Sequence, residues 1–216
     1  MLENKIEGRF VYILSDGSIR EKAEEGKPGA VRRDYEDSKG VKGTKYEYVY
    51  KSLSGQITGL SFQDGDFGLN LYVEVTDVGT TDGEPITLVL KTDSSFGEDF
   101  MKKLPNIDLT KKVKLVPYSF LDEQQRAKKG ISVFVDEEKI QGFFYDPVTK
   151  KELHGFPVVE GDRNGYDKDD WKVHFIKIRK FLVKYTEENV IPKLGKRDPM
   201  VRANIEVEIP AGDIPF

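Results

Sequence analysis

The chain has 216 residues, 38 % hydrophobic and 33 % charged, which suits one sizeable core better than a densely packed α/β enzyme. It has no cysteine, which excludes a disulfide framework and a thiolate zinc site. The net charge of −4 argues mildly against a nucleic-acid binder, but it is unevenly spread. Residues 63–100 set one lysine against nine carboxylates, whereas residues 101–151 set eleven cations against seven. An uneven field is what a binding groove on an acidic body produces, although chance also yields one. No apolar run reaches membrane-spanning length, and the N-terminus lacks a basic-then-apolar leader. A cytoplasmic protein without membrane contact is expected.

In chain order, Arg9-Phe-Val-Tyr-Ile-Leu14 reads as a strand, closed by Ser-Asp-Gly17 and able to pair with a sheet edge. Residues 20–43 are charged, glycine-bearing and nearly free of aliphatics, which predicts a long solvated loop or arm. Tyr46, Tyr48 and Tyr50 share one face of the next extended run. They could stack on bases, but packing against a neighbour is the commoner fate of strand aromatics.

The stretch from Leu53 to Val135 carries the most consistent signal. Leu53–Phe62 is a strand broken by the glycines that a bend needs. In the next strand Phe67, Leu69, Leu71, Val73 and Val75 alternate with outward Asn70, Tyr72, Glu74 and Thr76. Asp77–Gly83 is hairpin-turn chemistry, and Ile86–Lys91 resumes the period of two. The period then changes. Ser95 and Glu98 form a capping box, Phe96, Phe100 and Leu104 recur every four residues, and Pro105 stops the helix. Val113–Tyr118 and Ile131–Val135 complete an order of three strands, helix, two strands. That is the order of the OB-fold, a small Greek-key barrel. The expectation is mainly β: a five-stranded OB-fold barrel over 45–136, a helix between its third and fourth strands, an insertion after the fifth, and one C-terminal amphipathic helix. Residues 1–192 would form a single domain and 193–216 a tail.

Within such a barrel the exterior of the second and third strands faces ligand, which nominates Tyr72 and Lys91. Val89 on that face suggests partial cover. The fourth strand carries Lys112, Lys114, Tyr118 and Phe120 on one face and Val113, Leu115 and Pro117 on the other. Cations and rings interleaved on one exposed face suit a single-stranded polynucleotide, whose phosphates need neutralising and whose bases need stacking. Arg126, Lys128 and Lys129 in the following loop are further phosphate contacts. Pro117 implies an edge or a bulge.

Leu115-Val-Pro-Tyr118, one residue, Phe120, a charged loop and Gly130-Ile-Ser-Val133 together resemble a strand pair of the single-stranded DNA-binding proteins of tailed bacteriophages. The likeness covers about a tenth of the chain. It implies an OB-fold acting in phage replication and recombination, with Tyr118 and Phe120 on the DNA-binding surface.

Residues 137–170 form an insertion. The acidic cluster Asp162–Asp170 lacks the ligand spacing of a calcium loop, and neither metal nor cofactor is expected. Asp169 or Asp170 is a predicted helix N-cap, followed by the stripe Trp171, Phe175, Ile178, Leu182 and Tyr185. Ile205–Ile209 alternates like a strand, and the chain ends Asp213-Ile214-Pro215-Phe216. That ending is similar to the tip of bacterial single-stranded DNA-binding proteins, which implies recruitment of replication or recombination enzymes. A terminal ring would fill an apolar pocket while its carboxylate meets a basic residue. The tip could instead be incidental to a structural strand.

No enzyme is expected, because only His154 and His174 are present and there is no phosphate loop, nucleophile elbow or paired-histidine motif. The expected function is sequence-tolerant binding of single-stranded DNA, with homo-oligomerisation left open. The alternative is a phage structural or interaction module binding protein or sugar.

Overall fold

The computed structural model describes residues 8–36, 40–66, 68–76 and 85–195. Phe67, the Asp77–Gly83 turn and everything after Gly195, including the strand read at Ile205–Ile209 and the Asp213–Phe216 tip, lie outside the described residues.

The molecule is mainly β. Ten strands share one sheet: β1 (Arg9–Ile13), β2 (Ile19–Ala23), β3 (Val31–Glu36), β4 (Lys42–Tyr50), β5 (Leu53–Gly65), β6 (Gly68–Thr76), β7 (Ile86–Lys91), β8 (Lys112–Leu121), β9 (Ala127–Val135) and β10 (Glu138–Lys139). Their order is β10-β9-β8-β5-β6-β7-β1-β2-β4-β3. Among the described residues there are also two α-helices, α1 (Ser95–Lys103) and α2 (Lys168–Asn189), three short 3-10 turns and a small hairpin of β11 (Tyr145–Asp146) and β12 (Lys151–Glu152). Among the described residues no helix is long and apolar enough to cross a membrane.

The closed five-stranded barrel expected over 45–136 does not form. The ladders β5·β6, β6·β7, β5·β8 and β8·β9 are present, and closing the ring would need a fifth between β7 and β9. The outer edge of β7 pairs instead with β1, in parallel, and the outer edge of β9 pairs with β10. The N-terminal run thus joins the sheet as an added strand, and by doing so it keeps the sheet open. Its turn into β2 rests on β8, where a Cβ on Gly17 would lie 3.0 Å from the Ser119 nitrogen.

The stretch 20–43, expected as a solvated loop, supplies β2 and β3. Its mixed charges pair across strands and with one buried acid. Glu47 on β4 is 1 % exposed and accepts hydrogen bonds from Arg33 at 2.8 and 2.9 Å and from the Tyr12 hydroxyl, with Arg20 at 3.8 Å. Burial alone would raise its pKa. The hydrogen bonds from Arg33 and Tyr12, with the charges of Arg33 and Arg20, outweigh burial and hold it below the ordinary carboxylate range. The three tyrosines of β4 are half-buried, and two of them donate to carboxylates: Tyr50 to Glu21 at 2.7 Å and Tyr46 to Glu25 at 2.5 Å.

The core lies between the sheet and the helices, with Leu71, Val73, Leu88, Phe100, Leu104, Leu115, Ile131, Val133 and Leu182 buried. β5 bends at a bulge between Ile57 and Gly59. At Gly55 a Cβ would come within 2.6 Å of Val75, so only glycine allows that approach. α1 starts one residue earlier than expected: Ser94, not Ser95, is its N-cap and accepts from the Gly97 N–H at 3.0 Å. α2 is capped by Asp167, whose capping box uses Asp170 as the reciprocal partner, rather than by Asp169 or Asp170. Its buried stripe is His174, Ile178, Leu182 and Thr186. Phe175 stays 49 % exposed, off the line of His174, Ile178 and Leu182, and packs on Trp171, which in turn meets Tyr166.

Candidate nucleic-acid interface

The exposed wall of the β8–β9 hairpin follows from alternation. Val113, Leu115 and Pro117 on β8 and Ile131, Val133 and Val135 on β9 are buried. The residues between them face the other way. Register sets Lys114 opposite Phe134, Val116 opposite Ser132, Tyr118 opposite Gly130 and Phe120 opposite Lys128. Lys112 and Lys114 pair in turn with Gln56 and Ser54 of β5. One continuous strip therefore carries Lys112, Lys114, Phe134, Tyr118, Phe120 and Lys128.

Two features hold this strip rigid. Tyr118 lies across Gly130, where a Cβ would come 2.8 Å from the ring carbon Cζ and 2.4 Å from the Asp99 carboxylate, so no larger residue fits beneath the ring. Burial and then the Asp99 charge push the Tyr118 phenol above its ordinary pKa. Beneath it, α1 pins β9. Asp99 accepts from the Ile131 N–H at 2.7 Å, and Lys103 donates to the Ile131 carbonyl at 2.7 Å and to Asp99 at 2.6 Å. Because Ile131 spends its N–H on Asp99, its pairing with Pro117 is one of the positions that exchange no hydrogen bond in an antiparallel ladder. The proline therefore costs β9 nothing, and the β5 ladder has already ended at Leu115.

Beyond Tyr118, Phe120 is 56 % exposed, with its ring centroid 5.8 Å from that of Tyr118 and tilted by 37°. A third aromatic position is set by Phe134, which is not among the residues nominated from the sequence. The alternation of Ile131, Val133 and Val135 inward was sufficient to place it outward.

The remaining nominated residues separate. Arg126 sits in the β8–β9 turn and donates to Asp122 at 2.9 Å, a carboxylate that lies 3.8 Å from Lys128 of the strip. Backbone N–H donation from Arg126 first, then the side chain of Arg126, the N–H of Gln124 and the charge of Lys128, overcome desolvation and lower the Asp122 pKa. Asp122 therefore offsets part of the turn's positive charge. Lys91 and Lys129 meet elsewhere, around a cavity of ≈ 50 Å³ between the ends of β1 and β7 and the start of α1, with Tyr12, Val89 and Phe96 in its walls.

Tyr72 is corrected. It is 7 % exposed and Val89 beside it is 3 % exposed, so neither offers a face to a base. The reason is the added strand. With β1 beyond β7, Tyr72 falls inside a cross-strand row running Ser61, Tyr72, Val89, Tyr12, rather than near a barrel rim.

No family model, curated protein or solved structure matches the chain.

Proposed function

We propose that this chain binds single-stranded DNA without strong sequence preference, as the tailed-phage proteins it resembles do. The observation that carries the reading is the β8–β9 wall, where three outward rings, Phe134, Tyr118 and Phe120, alternate with Lys112, Lys114 and Lys128. Bases would stack on the rings while the ammonium groups neutralise phosphates, a combination that tolerates any sequence because every base has a π face. Four of the five ladders of an OB barrel lend further support, with β1 standing where closure would occur. The chemistry of the Asp213–Phe216 tip suits recruitment of replication or recombination enzymes in the cytoplasm of a phage-infected cell.

The salt dependence of oligo-dT affinity tests this reading. Each neutralised phosphate on a single strand contributes a slope of about −0.7, so three or four contacts give roughly −2 to −3. Deleting Ile214–Phe216 leaves that slope unchanged and abolishes capture of a partner enzyme. A salt-independent affinity would remove the interface. A truncated protein that still captures its partner would remove the tip's role.

A further inference from the structure

At the far end of the strip, Ser54, Lys112, Val113, Lys114, Phe134, Asp136 and Glu137 line a groove of ≈ 520 Å³. The groove has room for a nucleobase. It is walled on one side by an aromatic ring and flanked by two lysines. Its rim is less expected, because two carboxylates stand where a polyanion is to pass. Asp136 is committed to Lys111 at 2.6 Å. Glu137 is exposed and has no hydrogen-bond or ion-pair partner among the described residues.

We infer that this groove is a base-reading slot, in which Phe134 stacks one base and the Glu137 carboxylate accepts a hydrogen bond from that base's exocyclic amine. The inference rests on the proposed single-stranded DNA reading and adds a bias to it. Cytosine, adenine and guanine each carry an amine that can donate to a carboxylate. Thymine carries a carbonyl at the place of the cytosine amine, so it offers no donor there and its lone pairs would face those of Glu137. The rings elsewhere on the wall bind any base, and discrimination is confined to this slot.

The hairpin turn permits a clean test. Val135 pairs with Glu138, and the two residues between them have φ of 49° (Asp136) and 68° (Glu137). Glycine favours the latter conformation, so Glu137→Gly removes the carboxylate without endangering the fold. Losing a negative charge also reduces repulsion of phosphates, but this strengthens every strand alike and cancels in a ratio. The measurement is the dissociation constant of the full-length protein for oligo-dT divided by that for oligo-dC, at fixed salt. We expect this ratio to fall about fivefold in Glu137→Gly, the scale of one base-edge hydrogen bond. Tight binding of both strands with an unchanged ratio would overturn the role of Glu137 and leave the interface standing. Failure of the wild-type protein to bind either homopolymer would overturn the interface and the slot together.

Discussion

Replacing Phe120 with alanine lowers affinity for oligo-dT by about tenfold or more and leaves thermal stability unchanged. Stacking of one base on one ring contributes about 1–3 kcal/mol by alanine substitution, which sets the size of the loss. The ring is 56 % exposed and touches Tyr118 on the surface rather than the core, so its removal leaves the core packing untouched. Tyr118→Ala is the less discriminating variant. That side chain also covers Gly130 and sits near Asp99, so its removal perturbs the wall as well as the stack. Tyr118→Phe keeps the ring and should bind like the wild type. Fluorescence titration and a melt on each variant give both readouts. Full affinity in Phe120→Ala would show that bases pass elsewhere.

Glu47→Ala lowers stability by about 2–3 kcal/mol. Removing one partner of a buried charge network usually costs about 3–5 kcal/mol, because the remaining charges are left without a counterion. Here Arg20 and Arg33 retain 13 % and 22 % exposure and recover some water, which brings the loss to just below that range. For a chain of this size the loss corresponds to a drop in Tm of roughly 5–10 °C. Arg32→Ala is the control, since Arg32 and Asp34 are 63 % and 68 % exposed and such a pair is worth little. The pH dependence has a fixed sign. The folded pKa of Glu47 is depressed, so its contribution is complete above the unfolded value of 4.5 and is lost as pH falls through the folded pKa. Wild-type stability therefore falls more steeply with acid than that of Glu47→Ala. Parallel pH profiles would remove Glu47 as the electrostatic anchor of β1, β2, β3 and β4.

Alternation made most of the central sheet legible. The period of two in Gly68–Thr76 and Ile86–Lys91 located both strands and their core-facing residues, although the opposite face is buried as well, and the change of period at Ser95 located α1. The faces of β8 were equally readable. What misled was charge. Between Arg20 and Gly43 the usual strand signal of alternating aliphatics is missing, because partners there are held by Arg33–Glu47, Arg20–Asp16 and Arg9–Glu21 rather than by burial. Two of these pairs, Arg9–Glu21 and Arg33–Glu47, are 12 and 14 positions apart and meet across strands, which local periodicity does not encode. Tyr72 failed for a related reason. Its outward direction was correct, but its cover depends on where β1 attaches, a non-local fact. Phe134 follows from the same rule that places Phe120, but it lies among apolar residues that read as core.

The most direct measurement is a map of backbone amide shifts on adding oligo-dT to the full-length protein. The account predicts that the perturbed amides form one contiguous strip, Lys112–Phe120 on β8 with Lys128–Phe134 on β9. Perturbations confined to the α2 groove of Arg179, Lys180 and Lys184, or absent altogether, would contradict it.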